Sequence, residues 1–175
     1  MTGNLSVENI VTRGPVIPVI VIDSLATAVP LARALVAGGL SVLEITLRTP
    51  VAMDALRAIA SEVPEAVVGV GTVLSPAQLD DAGRAGARFA VSPGVTPTLV
   101  AAARDHAVPL LPGAATVSEV MFLREAGYRF LKFFPAEASG GTKFLSSLAS
   151  VIGDVRFCPT GGVTPANAGT YLALP

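Results

Sequence analysis

The residue best suited to covalent chemistry in this sequence is a lysine placed among apolar neighbours. The chain contains two lysines, and one of them, Lys132, interrupts the run Phe-Leu-Lys-Phe-Phe over residues 130–134. Burial disfavours the charged form of an amine and so makes the neutral nucleophile accessible, which imine formation with a ketone requires. A lysine that extends to solvent from a strand end, or that pairs with a carboxylate, would fit the same pattern. Lys132 is therefore a candidate Schiff-base residue with a structural alternative.

A second group of candidates lies in the segment Val-Leu-Glu-Ile-Thr-Leu-Arg over residues 42–48. In a strand, alternation places Glu44, Thr46 and Arg48 on one face and the apolar residues on the other. Inside a barrel, a carboxylate and a guanidinium are costly unless they serve each other or a ligand. We expect Arg48 at the carboxyl end of the strand, where barrel enzymes keep their active sites. The alternative is an ion pair with Glu44 that only fills the interior.

A third feature is the run Thr160-Gly161-Gly162-Val163, which leads into a predicted helix start at Thr164-Pro165. Two glycines allow close approach of a ligand to the backbone, and a helix start offers free N–H groups. Barrels frequently bind phosphate in this way, through the loops after strands seven and eight. A plain tight turn would also explain the glycine pair.

Composition limits the remaining possibilities. The 175 residues are 51% hydrophobic and 14% charged, with a net charge of -1 and basic residues scattered along the chain, which argues for one large core and against nucleic-acid binding. No apolar run approaches the roughly 18 residues of a spanning helix, and the N-terminus lacks the pattern of a signal peptide. With Cys158 and His106 as the only residues of their types, no disulfide and no zinc site of nitrogen and sulfur ligands can form within the chain. We therefore predict a reduced, cytoplasmic protein of one domain over residues 1–175 with no such zinc site and no cofactor, and with His106 structural or at the surface. A hard-cation site built from carboxylates stays open, although Glu44 is the one evident interior acid.

The order of the predicted elements indicates how these residues are positioned. Short runs rich in Val, Ile and Phe alternate with segments of helical period, which is typical of βα units around a parallel sheet. The pattern is compatible with an open doubly wound sheet, but it favours a closed (β/α)8 barrel of the TIM type, one unit short of eight. Strands are predicted over residues 15–22, 41–48, 66–73, 89–94, 109–113, 128–135 and 155–161, and helices over 5–13, 24–38, 51–62, 76–86, 97–106, 117–126, 141–152 and 165–174.

Four helix starts show a regular chemistry that supports the barrel prediction. A hydroxyl at the N-cap followed by proline at the first helical position is predicted for Ser75, Thr96 and Thr164. Thr116 with Glu119 three residues later predicts a capping box.

Five segments resemble the bacterial keto-deoxy-phosphogluconate and keto-hydroxyglutarate aldolases, in order across essentially the whole chain. They are VLEITLRTP, VGVGTVLSP, the SPG at residues 92–94, FLKFFPAEASGG and VRFCPTGGVTPAN. The resemblance implies a (β/α)8 barrel, usually a homotrimer, that acts as a metal-free aldehyde-lyase on a small keto acid. The implied reaction is reversible cleavage of 2-keto-3-deoxy-6-phosphogluconate (KDPG) to pyruvate and glyceraldehyde 3-phosphate, a step of the Entner-Doudoroff pathway. Some members also cleave 4-hydroxy-2-oxoglutarate (KHG) to pyruvate and glyoxylate.

The resemblance also implies a role for each matching position. Lys132 would form the imine with the substrate ketone, and Glu44 would act as the general acid and base. The other positions implied are Arg48 and Thr72 for the pyruvyl carboxylate, Pro93, Phe134 and Thr160 for the substrate pocket, and Gly161 and Gly162 for half of a phosphate site.

Relatives of this kind continue into an eighth strand and helix, with a glycine-rich stretch and a serine that completes the phosphate site, and the eighth βα unit is absent from the given sequence. We expect a longer chain or a disordered tail. Three alternatives stay open: an aldolase for another acceptor, such as the galactonate epimer, a truncated and inactive phosphate-ligand-binding barrel, and a phosphosugar isomerase or epimerase that needs no lysine imine.

Overall fold

The computed structural model describes residues 6–174, in which strands and helices alternate and the paired strands are parallel. This confirms the predicted α/β class. Each predicted element overlaps an observed one of the same type, although the predicted start of the first helix at residue 5 lies outside the described residues. In chain order the elements are α1 (Val7–Val11), β1 (Val19–Ile20), α2 (Leu25–Ala37), β2 (Val42–Thr46), α3 (Ala52–Glu62), β3 (Val67–Gly71), α4 (Pro76–Arg84), β4 (Ala90–Val91), α5 (Pro97–Ala103), β5 (Leu110–Leu111), β6 (Gly113–Ala114), α6 (Val117–Glu125), β7 (Phe130–Phe133), α7 (Gly141–Ala149), β8 (Arg156–Pro159) and α8 (Ala168–Leu172).

The chain divides into two compact units. Unit 1 runs to Ser92 and resumes over Thr96–Leu110, so it holds strands β1 to β4 and the first residue of β5, in a five-stranded sheet of the order β1-β2-β3-β4-β5. Strands β2 and β3 are buried along their whole length. Near-continuous apolar sequence with burial on both faces is the usual form of a parallel strand covered by helices. The register sets Glu44 of β2 beside Gly69 of β3.

Unit 2 comprises Pro93–Val95 and the chain from Leu111 onward, and its sheet has the order β6-β7-β8. One apolar face of this sheet packs against α7 and α8. The ring of Phe133 stacks on Phe144 with centroids 5.1 Å apart and meets Phe157 edge-on at 6.4 Å. Aromatic pairs in these arrangements stabilise a core beyond their buried area. The cluster consists of Phe133, Ala136, Leu145 and Tyr171, with Phe144, Phe157 and Leu174 packed against it.

The predicted strand over residues 109–113 is wrong in one respect, because it is two short strands separated by Pro112. Proline has no N–H to donate to a neighbouring strand, so the hydrogen bonds of a continuous strand are interrupted at this residue. Its carbonyl oxygen remains available and accepts from the N–H of Lys132 at 2.8 Å. Strand β5 therefore ends before Pro112, and strand β6, which pairs with β7, begins after it.

Three of the four predicted helix starts are confirmed. The side chains of Ser75 and Thr96 accept from the N–H groups three residues later, with proline in the first turn. Thr116 and Glu119 form the capping box. Partial burial opposes ionisation of Glu119, but the N–H groups of Ala115 and Thr116 and the Thr116 hydroxyl outweigh burial and hold the pKa of this carboxyl below its usual value.

The fourth predicted helix start, at Thr164-Pro165, is wrong. Helix α8 begins at Ala168, after Asn167. The Asn167 side chain turns back and its Oδ1 accepts from the N–H of Thr164 at 2.6 Å, while the N–H of Asn167 donates to the Thr164 carbonyl at 3.2 Å. The Thr164 hydroxyl bonds to the same side-chain oxygen at 3.3 Å, whereas the predicted cap requires it to accept from a backbone N–H, and residues 165–167 form a turn before α8. Within residues 6–174, no helix is both long enough and apolar enough to cross a membrane.

Candidate active site

Lys132 lies in the middle of β7 with its side chain almost fully enclosed. The residue is 4% exposed. Alternation along β7 sends Leu131 and Phe133 to the opposite face from Lys132, and Phe133 belongs to the apolar cluster of unit 2. The interpretation that the lysine extends to solvent is wrong. The strand directs the Lys132 side chain to the face opposite the apolar cluster, and the side chain is buried there as well.

The aromatic ring of Phe134 lies beside the lysine. The Nζ atom of Lys132 is 5.3 Å from the Phe134 ring centroid. A cation at this distance is attracted by the negative face of the ring. Phe134 itself is half-buried, and its N–H donates to the Ala114 carbonyl at 3.3 Å. An aromatic surface next to the amine can therefore favour a protonated imine as well as an ammonium.

Pro93 lies against β6, the strand beside β7. Gly113 pairs with Lys132 in the sheet register. A Cβ atom added at Gly113 would lie 2.2 Å from the Pro93 carbonyl oxygen, a distance that no real side chain tolerates. Glycine at position 113 thus allows the Pro93 backbone to pack directly on the sheet next to the lysine strand.

The loops after β7 and β8 are joined by backbone hydrogen bonds. The carbonyl of Thr160 accepts from the N–H of Ala136 at 2.8 Å, and that of Gly161 accepts from the N–H of Glu137 at 3.1 Å. Gly161 and Gly162 have φ values of 99° and 79°. Such angles are costly for residues that carry a Cβ, so the glycine pair is required by the turn itself. Unit 2 therefore brings together Lys132, Phe134, Thr160, Gly161 and Gly162 on β7, β8 and the loops that follow them.

Glu44 is the buried acid of unit 1. It lies on β2 and is 4% exposed. Its carboxylate lies against the next strand, since a Cβ atom at Gly71 would be 2.1 Å from Oε1 of Glu44. Thr46 on the same face of β2 is fully buried and donates its hydroxyl proton to the Ile20 carbonyl at 2.9 Å. The structure confirms the buried position of the carboxylate that alternation along the strand predicted.

Arg48 does not occupy the predicted place on the strand. Strand β2 ends at Thr46, and the N–H of Arg48 donates to the Thr46 carbonyl at 2.8 Å, which turns the chain. Arg48 is exposed in this turn. The interpretation that its guanidinium fills a buried interior is therefore wrong, because alternation stops where the extended backbone stops. An exposed guanidinium stays available for an anionic ligand.

Thr72 follows β3 directly and has a φ of 64°. A β-branched residue in the left-handed region is an outlier, because its Cβ substituents crowd the backbone. Strain of this kind persists only where the surrounding structure enforces it and occurs often at functional sites. Thr72 adjoins Gly71, the residue against which the Glu44 carboxylate packs.

Comparison with known proteins decides the family. The family model described as KDPG and KHG aldolase matches residues 7–175. The chain belongs to this family.

Individual members of the family are similar over most of their length. The KHG/KDPG aldolase of Escherichia coli K12 is 59% identical over 169 residues, which cover 97% of this chain and 79% of that protein. The KDPG aldolase of Legionella pneumophila, solved with pyruvate captured at low pH as a covalent carbinolamine intermediate, has a TM-score of 0.94 at 50% identity, covering 95% of this chain and 81% of that one. The KDPG aldolase of Zymomonas mobilis ZM4, solved with 3-phosphoglycerate, has a TM-score of 0.92 at 50% identity, covering 97% and 80%.

Two residues of this aldolase that sequence reasoning missed are Glu137 and Tyr171. The Tyr171 hydroxyl donates to Oε1 of Glu137, which follows the lysine strand. Glu137 stands in the FLKFFPAEASGG segment that carries the family resemblance, but a single exposed carboxylate in a loop gave no indication of its partner. Contact with a tyrosine 34 positions away is set by tertiary packing, which no local pattern reports.

The only histidine, predicted to be structural or at the surface, makes two local contacts. The Nδ1 atom of His106 accepts from the N–H of Val108 at 3.0 Å, and its Nε2 lies 3.3 Å from a carboxylate oxygen of Asp80. Among residues 6–174 there is no cluster of three or more histidine, cysteine, aspartate or glutamate side chains placed to hold a metal ion.

Proposed function

We propose that this chain is a class I aldolase that reversibly cleaves 2-keto-3-deoxy-6-phosphogluconate to pyruvate and glyceraldehyde 3-phosphate through an imine on Lys132. The observation that carries the proposal is the buried position of Lys132 on β7 with its amine beside the Phe134 ring. The Escherichia coli relative, which is 59% identical, is named for this activity. The Legionella pneumophila aldolase forms a covalent carbinolamine with pyruvate, which is the product expected when an amine adds to a ketone.

The reaction follows from the chemistry of a nucleophilic amine. Neutral Nζ of Lys132 attacks C2 of the keto acid to give a carbinolamine, which loses water to form a protonated imine. A base removes the proton of the C4 hydroxyl, the C3–C4 bond breaks, and its electron pair moves through C3 to the iminium nitrogen. Glyceraldehyde 3-phosphate leaves, and the enamine is protonated at C3. Water then adds to the imine and releases pyruvate, which restores the amine.

Glu44 is proposed as the group that moves these protons. Carbinolamine dehydration and C3 protonation require an acid, and deprotonation of the C4 hydroxyl requires a base, so one carboxyl that alternates between its two forms can serve each step. Its burial on β2, in the space left by Gly71, supports this role because water is excluded from the carboxylate.

The remaining candidates are proposed to hold the substrate. The planar guanidinium of Arg48 suits a carboxylate, and the strained backbone at Thr72 supports a binding role for its hydroxyl. Phe134 and Pro93 offer apolar surface to the pyruvyl carbons, and Thr160 lies where β8 gives way to the glycine loop.

The phosphate of the substrate is proposed to bind at Gly161 and Gly162. The carbonyls of Thr160, Gly161 and Gly162 accept from Ala136, Glu137 and the Asn167 side chain, the last at 3.0 Å. Because the N–H of a trans peptide points opposite to its carbonyl, these bonds fix the directions of the next three N–H groups. Consecutive N–H groups held in place favour an anion. The Zymomonas mobilis relative was solved with 3-phosphoglycerate, a phosphate ester, and this supports a phosphate ligand.

Borohydride trapping tests the proposal. The protein is incubated with pyruvate and borohydride, and the reduced adduct is located by intact and peptide mass spectrometry. We expect one adduct, on Lys132. The chain offers a matched control, since Lys143 is its other lysine and lies exposed on α7. Lys143→Ala should retain the adduct and Lys132→Ala should lose it. A folded wild-type protein without an adduct would contradict the class I mechanism.

Cleavage of 4-hydroxy-2-oxoglutarate is a second candidate activity, favoured by the double name of the Escherichia coli relative. Rates with the phosphorylated and the unphosphorylated substrate, and with the galactonate epimer, separate these specificities. Turnover that persists in Lys132→Ala would instead favour an isomerase or epimerase. A folded protein with no adduct and no turnover of any of the three substrates would favour an inactive binding protein.

We also propose the fold, assembly and location that the family resemblance implies: one domain with the (β/α)8 barrel architecture, assembled as a homotrimer in the cytoplasm. The TM-score of 0.94 to the Legionella pneumophila aldolase supports the fold. The trimer and the location rest on the resemblance alone. Light scattering of the purified protein gives the number of chains, and a single cooperative unfolding transition would support the single domain.

A further inference from the structure

Glu137 makes contact with both loops at the carboxyl end of β7 and β8. Its N–H donates to the Gly161 carbonyl at 3.1 Å, and its carbonyl accepts from the N–H of Gly140 at 3.3 Å. Its carboxylate accepts from the hydroxyl of Tyr171 on α8. The residue is exposed, yet both its backbone and its side chain are bonded.

The side chain of Glu137 occupies the space beside Gly162. A Cβ atom added at Gly162 would lie 2.6 Å from Cγ and 2.7 Å from Cβ of Glu137. A Cβ at Gly141, the first residue of α7, would lie 3.2 Å from Oε1 of Glu137 and 3.3 Å from the Tyr171 hydroxyl oxygen. The two glycines thus leave space that the Glu137 side chain and the tyrosine hydroxyl fill. The position of the Gly161–Gly162 backbone depends on where this side chain lies.

Tyr171 gives the carboxylate a fixed partner. Its ring belongs to the apolar cluster of unit 2 with Phe133 and Leu145, and the residue is 8% exposed. Burial, and then the neighbouring Glu137 carboxylate, raise the pKa of Tyr171 to about 12. The hydroxyl therefore remains a proton donor throughout the neutral range, and the ring cannot move without disturbing the core.

We infer that Glu137, held by the Tyr171 hydroxyl, is a positioning residue that sets the Gly161–Gly162 backbone for the phosphate group of the substrate. The inference rests on the proposed function, because it assigns the glycine loop to phosphate. The direction in which phosphate affinity changes when the Glu137 side chain is removed distinguishes positioning from electrostatic repulsion. A carboxylate near a phosphate site repels the anion, so its removal would tighten binding if charge alone mattered. Positioning requires the opposite result, weaker binding after removal.

Four variants test the inference. Glu137→Ala removes the side chain, Tyr171→Phe removes only the hydroxyl, and Glu137→Gln keeps an oxygen that can accept from Tyr171. Glu125→Ala removes an exposed carboxylate on α6 and is the control for charge. The measurements are kcat and KM for KDPG, the rate of pyruvate adduct formation with borohydride, and calorimetric binding of inorganic phosphate. Thermal unfolding of each variant shows that it is folded.

We expect Glu137→Ala and Tyr171→Phe to raise KM for KDPG by roughly tenfold, the order associated with loss of a hydrogen bond to a charged group, and to weaken phosphate binding by a similar factor. The rate of pyruvate adduct formation, which involves no phosphate, should change by less than about twofold. Glu137→Gln keeps the hydrogen bond and removes the charge, so it should bind phosphate as tightly as the wild type or more tightly. Glu125→Ala should remain close to the wild type. Combining Glu137→Ala with Tyr171→Phe should add little to either change.

Unchanged or tighter phosphate binding in Glu137→Ala would overturn the inference, and so would an equal loss in phosphate binding and adduct formation. A wild-type protein that binds no phosphate would overturn it as well. Failure of the proposed function has a different signature, the absence of a pyruvate adduct on Lys132 in the wild type. Calorimetry with inorganic phosphate still decides the role of Glu137 in that case, because it requires no turnover.

Discussion

The carboxylate of Glu44 and the missing side chain of Gly71 are complementary. A Cβ atom at position 71 would lie 2.1 Å from Oε1 of Glu44 and 2.7 Å from its Cδ. The two residues lie on adjacent buried strands, β2 and β3. The position of the proposed acid and base therefore depends on a glycine that takes no part in the chemistry.

Replacement of Gly71 by alanine should displace the Glu44 carboxylate. We expect kcat to fall by roughly a hundredfold, the lower end of what a positioned general acid and base contributes, and carbinolamine dehydration to slow in borohydride trapping with pyruvate. Steady-state kinetics and the time course of the adduct measure both effects. Gly14→Ala is the control, since a Cβ there would meet nothing within 4 Å. Full activity in Gly71→Ala would show that the Glu44 position is not needed.

Replacement of Thr72 by glycine should separate stability from activity. Its φ of 64° suits glycine, so relief of strain should offset the usual entropic cost of glycine. We expect the free energy of unfolding in urea to stay within about 1 kcal/mol of the wild type or to rise. KM for the keto acid should increase because the hydroxyl is lost. Thr72→Ala, which loses the hydroxyl and keeps a Cβ in the strained region, is the matched variant. A large loss of stability in Thr72→Gly alone would argue against strain.

The apolar neighbours of Lys132 predicted the burial of this lysine, and alternation along a strand predicted the burial of Glu44 because it follows from the pleat of the backbone. The same reasoning failed for Arg48, since the N–H of this residue bonds to the Thr46 carbonyl and ends the extended conformation two residues early. The end of a strand depends on which neighbour is present to pair with it. That information lies in the fold and is only weakly encoded in the local sequence.

Helix starts were likewise predictable where the capping contacts are local in sequence, and not where the contacts depend on the fold. The caps at Ser75, Thr96 and Thr116 were predictable because each side chain bonds to an N–H three residues away. At Thr164 the local signal was similar, but the Thr164 hydroxyl bonds to the Asn167 side chain and α8 begins after Asn167. The contact between Glu137 and Tyr171 had no local signal at all.

The capping box of α6 should contribute to stability in a pH-dependent way. Thr116→Ala should lower the free energy of unfolding by about 1 kcal/mol, because the N–H of Glu119 loses its acceptor. The pKa of Glu119 is lowered in the folded protein, so its contribution is present above the ordinary value of 4.5 and is lost as pH falls through the folded pKa. Urea denaturation at neutral and acidic pH measures this. Ser118→Ala, an exposed change in the same helix, is the control. Equal pH dependence in Glu119→Ala and the wild type would contradict the role of the carboxylate.

Tyr171 should ionise at an unusually high pH in the folded protein. Burial and the Glu137 carboxylate raise its pKa from 10.0 to about 12. The folded state therefore favours the neutral phenol, and this stabilisation is present below pH 10 and is lost as pH rises through about 12. The chain has two tyrosines, so Tyr128→Phe leaves Tyr171 as the one reporter of tyrosinate absorbance. We expect its titration to move to lower pH when Glu137→Gln is added, because the negative charge that opposes ionisation is removed. Titration of Tyr171 at its ordinary value in the folded Tyr128→Phe protein, with no response to Glu137→Gln, would show that the phenol is neither buried nor paired with this carboxylate.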